Sequence, residues 1–467
     1  MKSNLYFIYS ALTEENPFIS TNDAKKWLIN KNNITEISIN KVRFDKLKNW
    51  VFTNGKLQHL SGKFFSIDGI NVKTNWGEIS EWEQPIINQP EIGYLGIITK
   101  EINGILYFLM QAKIEPGNIN HVQLSPTLQA TKSNYTQIHK GKKPLYLEYF
   151  QKANQNQILL DQLQSEQGAR FLKKRNRNII IKTDENIPVF ENFIWLTLGQ
   201  IKKLMMYDNL VNMDTRTVIS GISFTDDHTF INMSSGLKKI FFKDDFKTAM
   251  LLSAMDISSS VHSIDEIIRW VTSLKSKYEL DITKIPIETI DKWIVSSYEI
   301  HHIDNKYFKV IGAYVKIGNR EVKEWYQPLI EPMQHGLIAF IVKKINGIYH
   351  FLIQAKLECG NFDIIEMAPT VQCLTGSYEN TENIPFLDYV INAPKNKIIF
   401  DTLQSEEGGR FFKEQNRNIL VEADEKFPDK IPDNFIWISF YQLSSFLKYN
   451  NYLNIQARSL ISAINFI

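Results

Sequence analysis

Apolar and polar positions change period along this chain, and the same changes occur twice. From Ser263 the segment SIDEIIRWVTSLKSKY spaces its apolar residues at helical intervals behind Ser263 and Glu266, the two ends of a capping box, and Thr21 is the matching cap candidate before DAKKWLIN. Each of these helical lead-ins is followed by a β-rich centre. GYLGIITKEINGILYFLMQAK and GLIAFIVKKINGIYHFLIQAK both place β-favouring runs on either side of Asn-Gly, the pair that accepts the positive φ angles of a two-residue hairpin. Further along, ILLDQL and IIFDTL read as short strands, IIIK and ILVE as another pair, and FIW opens a strand that passes into the helical spacing of LGQIKKLMMY or FYQLSSFLKY.

The repetition is literal. Gln111 to Thr127 reads QAKIEPGNINHVQLSPT and Gln354 to Thr370 reads QAKLECGNFDIIEMAPT, at a spacing of 354 − 111 = 243 residues. LQSEQGARF from Leu163 returns as LQSEEGGRF from Leu403. Solenoid and propeller repeats recur at roughly 20 to 50 residues, so each copy here is a domain-sized unit. The expected organisation is a first copy over 1–225, a linker over 226–244 where FTDDHTFINMSSG loses periodicity, and a second copy over 245–467. The fold class expected is α/β (α+β), each copy a mixed sheet flanked by helices.

Composition narrows the function classes. The 467 residues carry a formal net charge of +2 with no basic run, which argues against nucleic acid or anionic lipid as a partner. The cysteines are Cys359 and Cys373, matched by Pro116 and Ala130 in the first copy, so neither reads as a metal ligand or nucleophile. No stretch approaches the roughly 18 apolar residues of a membrane span, and Leu5 to Leu12 does not read as a cleaved leader, so a cytoplasmic setting is expected.

Several strings, in fixed order and in both copies, resemble the NDP-hexose 2,3-dehydratase family: WEQPIINQPEIGYLG, MQAKIEPGN, QLSPTLQATKSNYT, YLEYF and LQSEQGARF. The resemblance implies tandem Nudix-like domains, a subunit that dimerises, and a lyase acting on dTDP-4-keto-6-deoxyglucose without cofactor. Its labile product would pass to a sugar 3-ketoreductase. The Arg-Glu-x-x-Glu-Glu pattern that holds magnesium in Nudix hydrolases is missing; Glu406 and Glu407 are too few and wrongly spaced. A metal-dependent phosphoanhydride hydrolase is therefore disfavoured, and a non-catalytic nucleotide-sugar binding protein is the main alternative.

Water elimination beside a C4 ketone needs a base at C3, donors to the enolate oxygen and a proton for the departing hydroxide. The copies differ in the loop after Thr131, where Lys132, Asn134 and His139 face Thr375, Ser377 and Glu382. Thr131, Lys132, Ser133, Asn134 and Tyr135 are thus expected to contact substrate, with Tyr135 or His139 moving protons and Lys132 stabilising charge. The plainer reading is that Ser, Thr and Asn satisfy a turn and Tyr135 packs. Ser165 or Ser405 would open a helix whose amides, freed by Gly168 or by Gly408 and Gly409, face a pyrophosphate clamped by Arg170 or Arg410. Trp50 and Trp293 are candidates to stack on thymine or ribose, against the commoner core role of tryptophan. In the second copy Thr370, Gln372, Ser377 and Tyr378, with Glu406 and Arg410, complete the candidate binding set.

Overall fold

The computed structural model describes residues 3–135, 143–224, 246–318, 323–375 and 384–466. His139, Ser377, Tyr378 and the linker fall outside them, as do the side chains of Ser133 and Asn134. Within the described residues the chain forms four sheets in two similar halves.

Each half holds a seven-stranded mixed sheet. In the first, Gly93–Ile102 and Ile105–Ile114 pair antiparallel through Asn103 and Gly104, at φ 52° and 80°, while Arg175–Lys182 runs parallel to Gly93–Ile102 on its other edge. Gly336–Ile345, Ile348–Lys356 and Gln415–Glu422 repeat this arrangement around Asn346 and Gly347. The capping box on helix Ile264–Lys277 forms as expected, whereas the first lead-in helix, Thr21–Asn33, is capped by Ser20 rather than Thr21. Both faces of each mixed sheet are covered. One face packs its own short helix against strands, around Tyr146 and Phe150 in the first half and Val390 and Phe435 in the second. The other face joins a single core that crosses between halves, where Phe108, Ile219 and Phe224 share a cluster with Phe351, Leu460 and Phe466.

The two five-stranded sheets exchange strands. Ile37–Val42, from the first half, pairs along Gly312–Ile317 of the second, and Leu280–Ile285 pairs along Gly69–Thr74 of the first. In each receiving strand the preceding residues are covered by a neighbour from their own half, Lys309 to Ile311 by Glu299–His302 and Ser66 to Asp68 by Lys56–His59. The switch of neighbour falls at Gly312 and Gly69, where a β-carbon would stand 2.6 Å from the Val42 carbonyl and 2.8 Å from that of Ile285. Only glycine admits so close a backbone at these points. Neither half therefore completes its own small sheet.

Candidate active site

The segment expected to start an anion-binding helix does not form one. After strand Ile158–Ser165 the chain makes a turn over Gly168 to Arg170, and the second copy does the same after Ile398–Ser405. The two turns meet the Glu-Pro-Gly-Asn and Glu-Cys-Gly-Asn loops of the opposite halves: Gly117 N–H donates to the Gly408 carbonyl at 2.7 Å, and Gly360 N–H to that of Gly168 at 2.6 Å. A β-carbon on Gly168 would sit 2.0 Å from Asn361 Oδ1, and one on Gly408 2.2 Å from Asn118 Oδ1. These glycines permit contact between halves, not approach to a phosphate. Ser165 is likewise occupied, donating to Glu366 Oε2 at 3.0 Å. Buried Glu406 accepts from Gln167 and Asn416.

Because the turns cross over, a cavity of about 840 Å³ in the first half is lined by residues of both copies. The first copy contributes Trp50, Lys113, Glu115, Gln129, Thr131, Glu166, Lys174 and Asp214, and the second contributes Tyr326, Gln327, Glu407, Gly409 and Arg410. Arg410 donates to Gln89 Oε1 at 3.1 Å and lies 4.1 Å from the Phe65 ring centroid; its twin Arg170 lies over Phe308 in the other half. Trp50 lines the cavity and is fixed in place: it is buried, tilted against Phe65 with centroids 4.9 Å apart, and donates to the Tyr326 carbonyl at 2.7 Å. Trp293 is held the same way on the Glu83 carbonyl at 2.9 Å.

Of the loop singled out from sequence, Thr131 lines the cavity. Lys132 is exposed, and the half-buried Tyr135 packs edge-on to Tyr94 with centroids 5.5 Å apart. Burial raises the Tyr135 phenol, and Tyr94 and Glu91 add to the effect. The phenol is thereby a weaker acid, held in its neutral form. Buried Thr370 spans two strands, accepting from Ile341 N–H at 2.9 Å and donating to the Leu352 carbonyl. Gln372 bridges Glu358 Oε1 and Asn454, both at 2.8 Å. Both residues act as internal braces. His121 is half-buried, and burial lowers its pKa, assisted by Lys413 of the second copy.

The cavity's chemistry lies in groups that the loop comparison missed. Asp214 is buried on the first turn of helix Met213–Ser220, which Asn212 caps by accepting from Thr215 N–H at 2.8 Å. Its carboxyl is pushed well above the usual range by burial, with Glu115, Glu407 and Glu166 adding like charge. Burial also pushes Glu407 up to about 7, reinforced by Glu115 and Glu166 and opposed by Arg410 and Lys113. Lys174 is buried with its ammonium on the Glu91 carbonyl, and burial lowers its pKa. Glu115 accepts from Gln129 at 2.6 Å and lies 3.5 Å from Lys113.

Carboxyls crowded in this way cannot all ionise together, so the cavity holds proton donors and acceptors side by side near neutral pH. The twin positions differ in kind: Asp214, Glu407 and Lys174 correspond to Gln456, Gln167 and Glu414, so the second half has amides at two of these carboxyl positions and a carboxyl, itself pushed up by burial beside Glu406, in place of the lysine. Comparing the two copies across the whole chain, rather than within one loop, exposes the difference.

The family described as NDP-hexose 2,3-dehydratase matches residues 21–222 and again 264–464. A dTDP-4-dehydro-6-deoxy-alpha-D-glucopyranose 2,3-dehydratase from Saccharopolyspora spinosa is 43% identical over 465 residues, covering 98% of this chain and 94% of that protein. Proteins of the same name from Amycolatopsis orientalis and Streptomyces violaceoruber are 38% and 35% identical, covering 98% and 94% of this chain and 92% and 95% of theirs.

Proposed function

This chain belongs to the NDP-hexose 2,3-dehydratase family, and from that premise we propose that the cavity built from both copies is where it dehydrates its sugar nucleotide. The reaction is loss of water across C2 and C3 of dTDP-4-dehydro-6-deoxyglucose. The C4 ketone acidifies the C3 hydrogen, and the C2 hydroxyl leaves from the β position. The resulting enol tautomerises to a 3,4-diketo-2,6-dideoxy sugar. Net oxidation state is unchanged.

One observation supports this placement above others: Asp214 and Glu407, two carboxyls with raised pKa, line one cavity with Lys113, Lys174 and Arg410. The carboxyls supply acid and base, and the cations stabilise an enolate oxygen. General acid-base help contributes about 10² to 10⁴-fold, and oxyanion stabilisation is of comparable size. On this reading side chains carry every step and no metal takes part. The diphosphate stays intact as a handle, the subunit works as a homodimer in the cytoplasm, and a 3-ketoreductase consumes the labile diketone.

The test is turnover of the dTDP-4-keto sugar by chelator-treated protein, with a 3-ketoreductase and NADPH trapping the product. Loss of one water by mass spectrometry is expected. An unchanged substrate under these conditions would refute the assignment.

A further inference from the structure

Resting on that reading, we propose that Glu407 is the catalytic base that removes the C3 proton, and that Gly409 is the positioning residue that lets its carboxylate face the reacting sugar. The evidence is a comparison the molecule makes with itself. LQSEQGARF and LQSEEGGRF lie 403 − 163 = 240 residues apart, so Glu407 and Gly409 occupy the positions of Gln167 and Ala169.

The two turns share their backbone course. Phe171 and Phe411 N–H donate to the Gln167 and Glu407 carbonyls at 2.9 and 3.0 Å, and Gln84 and Gln327 donate to the Ala169 and Gly409 carbonyls at 3.1 and 2.9 Å. Their side chains part company. Gln167 extends away and donates to Glu406 of the opposite half. Glu407 instead curls back over its own turn, so that its Oε1 lies 2.3 Å from where a β-carbon on Gly409 would stand. Real β-carbons do not come so near an oxygen, so a β-carbon at residue 409 would displace the end of the Glu407 side chain from this position. Gly409 has no positive φ, and Ala169 shows that the same turn accepts a methyl group. Conformational freedom therefore does not explain this glycine; the space it leaves for the carboxylate does.

In that position Glu407 shares the cavity with Glu115, Glu166 and Asp214 and with Lys113, Lys174 and Arg410. The electron movement then balances. Glu407 carboxylate accepts the C3 proton, and the C–H pair forms the C3–C4 double bond as charge moves to the C4 oxygen. The enolate re-forms the C4 carbonyl, its pair becomes the C2–C3 double bond, and the C2–O bond breaks as the hydroxyl takes a proton from Asp214 and departs as water. Tautomerisation then adds a proton at C2 and removes one from the C3 hydroxyl. Proton transfer from Glu407 to Asp214 restores the starting state.

The variants that test this are Glu407→Gln and Gly409→Ala, alone and combined; together they rewrite the second turn as the first, which this fold already holds. With substrate carrying deuterium at C3, Glu407→Gln should lower kcat by about 10²-fold or more. Gly409→Ala should lower it at least about 10-fold, with KM within about threefold of the unmodified enzyme. In Gly409→Ala the C3 deuterium isotope effect should rise and the acidic limb of the pH–kcat profile should move. The double variant should be no slower than Glu407→Gln, because the two act through one carboxylate. Wild-type kcat, isotope effect and pH profile in Gly409→Ala would overturn the proposal, as would multiplicative losses in the double variant. Native enzyme that releases no water would instead refute the function assigned above, so the two failures are distinguishable.

Discussion

Arg216 of the first copy donates through Nη1 to Oε1 of Gln404 in the second at 2.6 Å, and through Nη2 to the Ser405 carbonyl. Its twin Arg458 reaches back to the Ser165 carbonyl and to that of Leu453, the latter at 2.6 Å. Both guanidinium groups are buried, and burial lowers each to about 10, which leaves them charged at neutral pH. Arg216 follows Asp214 by two residues and binds the strand end that leads into Glu407, so it ties both sides of the cavity together.

Removing the guanidinium leaves the buried Gln404 and Ser405 acceptors unsatisfied, which typically costs about 1–3 kcal/mol for each group. Arg216→Met should therefore lower the denaturant midpoint markedly. Arg216→Lys should recover less than half of the loss, because a single ammonium does not reproduce the planar fork. A midpoint unchanged in Arg216→Met would show that the contact between halves does not depend on it.

Glu366 provides a pH test at the same interface. It is buried, accepts from Ser165, and burial pushes it up to about 7 despite opposition from Arg458. Unfolded, it would titrate near the ordinary glutamate value of 4.5. Between these values the folded state binds more protons than the unfolded state, so its stabilising contribution is complete below the unfolded value. That contribution is lost as pH rises towards 7. At about 1.4 kcal/mol per pH unit the loss reaches up to about 3 kcal/mol. Glu366→Gln should thus gain stability relative to the parent as pH rises from about 5 to about 8. Denaturation curves run in parallel across that range measure it; a constant difference would contradict the account.

The strand exchange predicts how the halves behave apart. Residues 1–224 alone lack the Leu280–Ile285 strand, which leaves the edge of Gly69–Thr74 open, and 246–467 alone lacks Ile37–Val42. Open edges aggregate. Each fragment expressed alone should be insoluble or unfolded, while co-expression should return a soluble 1:1 complex. Fragments that are folded and monomeric on their own would mean that the exchange contributes little.

Much of this architecture was legible where its cause is local. Asn103-Gly104 and Asn346-Gly347 form the hairpins their backbone freedom indicates, and Ser263 with Glu266 closes its capping box. Strand exchange was not legible, because alternation in Ile37–Val42 marks a half-buried strand without naming its neighbour. The Ser165 turn was misread for a related reason: glycine beside Ser and Glu suits a helix start, but here Gly168 meets Asn361 of the other half. Of the loop chosen because the copies differ there, Thr131 lines the cavity. Asp214 and Glu407 were not legible, since they lie far apart in sequence and meet only when one copy's turn enters the other's cavity.

That difference makes the final prediction sharp. Asp214→Asn keeps the shape of the first turn of helix Met213–Ser220 and the Asn212 cap but removes a proton donor from the cavity. Tyr135→Phe removes a hydroxyl from a ring that packs edge-on to Tyr94 outside the lining. If the carboxyls carry the chemistry, Asp214→Asn should lower kcat by about 10²-fold or more, whereas Tyr135→Phe should change it by less than about 10-fold. Thermal unfolding should move little in either case, because the like charge that crowds Asp214 is relieved by the amide. Turnover measured with the trapped product distinguishes the two: a severe loss in Tyr135→Phe beside near-normal Asp214→Asn would return proton transfer to the loop after Thr131. The opposite ranking places it across the junction between the two copies.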